Sequence, residues 1–200
     1  NFSLFGLPEE IIFCSQCTIS NQRPSSVVEF KNKNNKKKGI NINVKTLLCD
    51  ACEYNKKKGE INWSKREDEL IKLLDKYRKP SGYDCVVPGS GGKDSAFTAH
   101  ILKYKYGMNP LTVTWAPHLY TDIGWKNFTN WIHVGGFDNI LFTPNGRVHR
   151  KLTSLAFKNL LHPFQPFIVG QRSIGPKFAL MTGAKLVFYG ENLAEYGNRI

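Results

Sequence analysis

The chain has 200 residues, is 41% hydrophobic and carries a formal charge of +12. That length admits one ordinary α/β domain with a small appendage, and no apolar run reaches the roughly 18 to 20 residues of a helical membrane span. The charge calls for an anionic partner such as nucleic acid, nucleotide or membrane surface, yet eight lysines fall in two short tracts, "KNKNNKKKG" (31–39) and "NKKKG" (55–59), which read as solvated loop tips.

In chain order, residues 11–60 read as a separate small unit. It holds two C-x-x-C pairs, Cys14 with Cys17 and Cys49 with Cys52, and between them the β-like runs "SVVEF" and "INVKTLL". So short a unit has almost no core, and a bound ion would supply the missing stability. Four cysteines at this spacing suit tetrahedral Zn²⁺ in a closed, structural site. Two disulfides or a redox C-x-x-C are the alternatives. Residues 61–81 read as a linking helix: Ser64 and Glu67 have capping-box spacing, Leu70, Leu73, Leu74 and Tyr77 share a face, and Pro80 ends it.

Residues 82–200 alternate strand and helix. "DCVVPG", "LTVTWA", "NILFTP" and "KLVFYG" read as strands. Helices are expected over "DSAFTAHILKYKYG" with Gly107 as its stop, over "IGWKNFTNWIHVGG" with Trp125, Phe128 and Ile132 on one face, over "GRVHRKLTSLAFKNLL", and, after a Pro-rich turn, over the shorter "GPKFALMTGA". This alternation implies an α/β fold with a parallel sheet covered on both faces. The chain starts at Asn1, not Met, and stops at "EYGNRI" without an evident closing element, so it is read as part of a longer protein. With no signal peptide visible and cysteines paired as for metal, a cytoplasmic location is expected.

The first core strand runs into "PGSGGKDS". This is not a Walker loop: Val87 stands where the first glycine belongs, and Asp94 follows Lys93 where Ser or Thr is required. It still has what a phosphate needs. The loop lies at the carboxyl end of a strand and the amino end of a helix. Gly91 and Gly92 let the backbone curl close to an anion. Ser90 and Ser95 bring hydroxyls and Lys93 brings charge. Asp94 makes sense beside phosphate if Mg²⁺ lies between them. The plainer alternative is an ordinary capped strand-to-helix turn.

"SGGKDS" after a β-branched strand resembles the pyrophosphate (PP) loop of the ATP-pyrophosphatase superfamily. Those enzymes split ATP between the α and β phosphates, adenylate a carbonyl oxygen and let a nucleophile displace AMP. With the two C-x-x-C pairs, "TVTWAPHLYTDIGWKNF", "GQRSIGPKFA" and "YGENLAEYGN", nearly the whole chain is similar in order to the N-acetyl sugar amidotransferase family. That resemblance implies a PP-loop domain of the adenine nucleotide alpha hydrolase type, with sheet order 3-2-1-4-5 expected. It implies ATP and Mg²⁺ as cofactors beside the structural zinc. It also implies an activity that turns the acetamido group of a nucleotide-activated sugar into an acetamidino group, for lipopolysaccharide, O-antigen or nonulosonic acid biosynthesis. Lys93 and Asp94 would be catalytic, with Ser90, Gly91, Gly92, Ser95 and Trp115 completing the ATP site.

Cys85 sits within a strand and reads as inert core. No cysteine is then left for a glutaminase, so ammonia is expected from a separate glutaminase subunit, as the resemblance also suggests. Trp115 ends the second strand and is suited equally to adenine or to the core. His118 and Asp122 follow it in a loop. Gln171, Arg172 and Lys177 flank "SIGP", read as a glycine-bearing turn that could hold an anion at a helix start. Glu191 and Asn192 follow the fourth strand at the same sheet edge. The rival readings are a PP-loop enzyme that modifies tRNA and a non-enzymatic zinc-ribbon module for nucleic acid. Nucleic acid is not the expected partner, because the cations cluster in two tracts instead of alternating with aromatics.

Overall fold

Cys85, Val86, Val87 and Pro88 form β1 and are all buried, as in a strand whose two faces are both covered by helices. The computed structural model describes residues 7–23 and 40–191, so "SVVEF", the first lysine tract and Asn192 lie outside the described residues. Around β1 run β2 (Pro110–Trp115), β3 (Asn139–Phe142) and the short β4 (Leu186–Val187), all parallel, in the order β3-β2-β1-β4. This is the α/β architecture and strand order expected for the four strands. The chain leaves β1 toward β2 and β3, then crosses to the other side of β1 to form β4. The place where it reverses lies between β1 and β4, and crevices at such points take ligands at the carboxyl ends of the strands.

The sheet separates two apolar layers. Cys85 and Val87 of β1 form one with Leu74 of α2 (Trp63–Tyr77), Ala99 of α3 (Lys93–His100), Leu102 just after it, and Phe128 and Trp131 of α4 (Asp122–His133). Val86, Leu111, Val113, Ile174 and Phe178 form the other, under α6 (Gln165–Thr182). The helix α5 (Gly146–Leu160) packs on α6. Local chemistry sets the ends. Thr121 Oγ1 accepts from the Gly124 amide at the start of α4, and Asn145 Oδ1 accepts from the Arg147 and Val148 amides at the start of α5. After α3 the helix loosens into a π turn over Ile101–Lys105, and Gly107 at φ +62° stops it as expected.

Several local expectations fail, among them the β-like run "INVKTLL", which turns at residues 44–46. Helix α2 begins at Trp63, so Ser64 lies inside the first turn and no capping box forms. Glu67 instead accepts from Lys105 Nζ at 2.6 Å and from the Tyr106 hydroxyl at 2.9 Å, which tie α2 to the π turn. The second lysine tract is the end of a helix, α1 (Asp50–Gly59), whose last turn gains from the cations of Lys56, Lys57 and Lys58. The "SIGP" segment is the middle of the 18-residue α6. Its glycines bring the helix onto the sheet instead of turning the chain. A Cβ on Gly170 would lie 2.3 Å from the Trp115 ring, and one on Gly175 would lie 2.6 Å from Pro88.

The chain divides into two compact units, one built from residues up to Trp63 and the other from Ser64–Glu191. The first has antiparallel bridges Phe13–Ser20 and Ile42–Cys49 and a core of only Cys14, Ile42, Leu48 and Cys49, with Ile12, Ile19, Ile40 and Cys52 against it.

Candidate phosphate-binding loop and four-cysteine cluster

The glycines after β1 have different tasks. Gly89 lies under Ser95: a Cβ there would meet Ser95 Cβ at 2.4 Å and Trp131 at 2.9 Å. Gly91 has φ +83°, and a Cβ would lie 2.8 Å from the Phe128 Cα, so this residue both turns the loop and seats it on the backbone of α4. Gly92 is different. Its backbone (φ −66°, ψ 152°) is open to any residue and nothing stands within 4 Å of its missing Cβ. It is the N-cap of α3 and supplies no side-chain acceptor, so the first-turn amides of Lys93, Asp94 and Ser95 are left for an outside acceptor. Backbone curl, bare amides and the helix dipole are together what an anion site requires.

Ser90, Lys93 and Asp94 are exposed around that opening. Lys93 Nζ lies 3.3 Å from Asp94 Oδ1, with the lysine side chain 92% exposed, a contact too weak to hold it away from a phosphate. Ser95 Oγ donates to the Gly92 carbonyl at 3.1 Å and braces the loop. From the other side of the reversal point, Gly190 lies against the loop: a Cβ there would be 2.6 Å from the Asp94 carbonyl carbon and the Ser95 amide nitrogen. The exposed Glu191 follows it. The structure thus brings the predicted residues 90–95 and Glu191 to one strand edge. Gln171 and Arg172 do not join them at a helix start, because they lie within α6. Lys177 is also within α6, with its Nζ 5.0 Å from the centre of the Phe142 ring.

Trp115, at the end of β2, is half-buried beneath Gly170 and packs 5.1 Å from the Phe142 ring. It forms part of a cavity of about 460 Å³ between α5 and α6, with Val148, His149, Leu152, Val169 and Gly170 among its walls. Trp115 Nε1 and His149 Nε2 are buried with no hydrogen-bond partner among the described residues. Burial, with the neighbouring His118 adding to it, holds His149 below the usual histidine range. His118 therefore has a ring partner, its centroid 4.7 Å from that of His149. Asp122 is exposed at the start of α4. His149 carries no sequence motif, and Tyr189 and Gly190 lie in "YGENLAEYGN", which marks neither of them individually. The one hint to His149 is its place a turn into the helix after the third strand, at the edge where ligands bind. Cys85 is buried within β1 as expected, and burial, then Asp84, push its thiol up to about 12.

In the first unit the ligand atoms of Cys14, Cys17, Cys49 and Cys52 all lie within 4.8 Å of one another. Each pair sits on a tight turn, with Thr18 at φ 61° and Leu47 at φ 52°. The Cys49 amide donates to Cys14 Sγ at 3.3 Å. At Cys14 burial raises the pKa, but the amides of Cys49, Cys17 and Gln16 outweigh it and bring the thiol to about 6. Burial and the neighbouring thiols push Cys52 up to about 12. Four thiols this close share charge poorly unless a cation lies between them, and the donor set fits a tetrahedral thiophilic ion.

No family model matches the chain. An uncharacterized protein of Methanocaldococcus jannaschii is 36% identical over 78 residues, 38% of this chain and 27% of that protein. Among solved structures, an NMN synthetase from Francisella tularensis matches with TM-score 0.50 at 16% identity, over 68% of this chain and 57% of its own. An NH3-dependent NAD synthetase from Campylobacter jejuni, in complex with the nitrate ion, matches with TM-score 0.49 at 16% identity, over 68% of this chain and 59% of its own. The chain thus spans about a quarter of the curated relative and under two thirds of these structures. The likeness to the NMN synthetase shows the fold alone, a parallel-sheet α/β domain.

Proposed function

We propose that this chain is the ATP-using part of an AMP-forming amidotransferase that acts on a nucleotide-activated N-acetyl sugar. The observation that carries the reading is the loop of residues 89–95: bare first-turn amides, Gly92 open to a ligand, and Lys93 and Asp94 flanking the opening. The loop would hold the β and γ phosphates, with Asp94 as the Mg²⁺ ligand and Lys93 countering charge on the leaving pyrophosphate. The adenine would enter the apolar cavity beside Trp115, whose orphaned indole N–H and His149 Nε2 suit the polar edge of a heterocycle. Glu191 and Asn192 are assigned to the substrate side.

An amide carbonyl is a poor electrophile. Its oxygen attacks the α phosphorus, the bond to the β phosphate breaks and pyrophosphate leaves. Ammonia adds to the activated carbon, the C–O bond breaks, AMP departs and a proton is lost, leaving an amidine. Holding the reactants together and countering phosphate charge lower the barrier without a strong base. Ammonia comes from a separate glutaminase subunit, and zinc on the four cysteines holds the first unit together. No helix of the described residues is long and apolar enough to cross a membrane. A cytoplasmic site of action suits the use of ATP and a nucleotide sugar.

The test is to supply the full-length protein with ATP, Mg²⁺, ammonium and a panel of UDP- and CMP-linked N-acetylated sugars. AMP and pyrophosphate in equal amounts, with the sugar mass shifted by exchange of O for NH, is the expected result. ADP release would refute the reading of the loop.

A second reading, a PP-loop enzyme that modifies RNA, is favoured by one observation. Residues 139–190 contain no Asp or Glu. The exposed Arg147, Arg150, Lys151 and Lys158 line one side of α5, and none is in an ion pair with the described residues. Pyrophosphate release that requires tRNA and falls steeply with salt would establish that reading.

A further inference from the structure

Pro176 stands inside α6, where proline is strongly disfavoured because it brings no N–H to the carbonyl four residues back. That carbonyl belongs to Arg172. It has another donor: the Tyr189 hydroxyl, 2.9 Å away. Tyr189 follows β4, and directly after it comes Gly190, pressed against the Asp94–Ser95 peptide of the loop. On the helix side, Gly175 leaves room for the contact, since a Cβ there would lie 3.2 Å from the same hydroxyl. β4 itself is only two residues long, and one further ladder bond, Phe188 N–H to the Val86 carbonyl, holds its end. The segment that backs the phosphate loop is therefore held by few bonds, and one of them exists because a proline frees its acceptor.

We propose that Tyr189 is a positioning residue for the phosphate loop: by capping the carbonyl that Pro176 leaves open, it pins residues 188–191 to α6 and so fixes Gly190 behind Asp94 and Ser95. The inference rests on residues 89–95 being a pyrophosphate site. It adds a use for the proline, which otherwise only weakens the helix. The acceptor is available to Tyr189 because the helix does not claim it. With alanine at 176 the helix recovers its own bond, and the Tyr189 hydroxyl becomes the second donor to an oxygen it otherwise has to itself, which weakens its hold.

The test is calorimetric titration of inorganic pyrophosphate with Mg²⁺ into the full-length protein and into the Tyr189→Phe, Pro176→Ala and doubly substituted variants, each with its melting curve. Loss of one hydrogen bond's net worth predicts an affinity about three- to tenfold lower for Tyr189→Phe. Pro176→Ala is expected to weaken binding in the same direction while raising the melting temperature. A merely structural role would not move stability and affinity in opposite senses. The double variant is expected to bind as Tyr189→Phe does, because Pro176→Ala acts only through the contact that Tyr189→Phe removes. Additive losses, or Tyr189→Phe binding like the wild type, overturn the latch and leave the loop intact. A wild-type protein that binds no pyrophosphate overturns the loop reading and the latch with it.

Discussion

Gly91 and Gly92 are adjacent, and the same substitution should do opposite things at each. In Gly91→Ala the new residue must hold φ near +83°, which costs an L-residue about 1–2 kcal/mol. Its Cβ must also displace the Phe128 backbone, 2.8 Å away, with Asn127 behind it. Backbone does not yield as a side-chain tip does, and such overpacking costs about 1–3 kcal/mol. The sum, about 2–5 kcal/mol, is a large part of the roughly 5–15 kcal/mol of an ordinary domain. At Gly92 neither cost arises, for φ is −66° and the space is empty. Alanine caps a helix worse than glycine, by roughly 0.5–1 kcal/mol, and recovers about 0.4–1 kcal/mol from the unfolded chain. Stability should be unchanged within error, while the added methyl occupies the space through which an anion reaches the amides. Urea unfolding and ATP titration of both variants decide the matter. A stability loss in Gly92→Ala, or a wild-type unfolding midpoint in Gly91→Ala, would refute this division of labour.

The purified protein should contain about one zinc per chain, and Cys14→Ser should lose it, as elemental analysis will report; intact-mass evidence of two stoichiometric disulfides would contradict this. Cys85, with its thiol pushed up to about 12 by burial, should resist alkylation at pH 8 in the folded protein and react only on unfolding. His149 has a folded pKa below its unfolded one, because burial and then His118 disfavour its proton. The unfolded chain therefore binds the extra proton first, so stability is full above about pH 6.5 and falls on acidification. Melting curves from pH 8 to 5 should show this slope reduced in His149→Gln, and an unchanged slope would refute it.

The loop's place in the fold was legible in the sequence, because the pyrophosphate site proposed for it would constrain residue type at each position. Serine, two glycines, lysine and aspartate in that order after a buried strand leave few uses, and the structure brings them to the strand edge where a ligand is expected. The cysteine pairs were legible for the same reason, and the four ligand atoms converge. What each glycine does was not legible. Gly91 and Gly92 look alike in one dimension, and only the presence of α4 beside one of them separates a steric role from an open site. Helix α4 shows the same limit. Its periodicity marks Trp125, Phe128 and Ile132 as the inner face, but Trp125 is 48% exposed and Trp131 only 5%. The apolar stripe is wide enough for either tryptophan to turn inward. The choice falls to Trp131 because Gly89, far away in sequence, leaves a place for its ring.

The segment "GQRSIGP" carries this furthest. Glycine and proline together are the strongest local signal for a turn, and here both stand within a helix. Gly170 is there for Trp115, Gly175 for Pro88 and Val187, and the carbonyl that Pro176 frees is met by Tyr189. Each compensation comes from a strand or strand end distant in the chain. A local reading sees three helix-breaking residues and no reason to keep the helix. The helix persists because close packing on the sheet outweighs the intrinsic penalties of about 1 kcal/mol per glycine and about 3 for the proline. The same close packing brings α6 within reach of the residues that back the loop, so the misread turn and the proposed positioning of Gly190 have one physical cause.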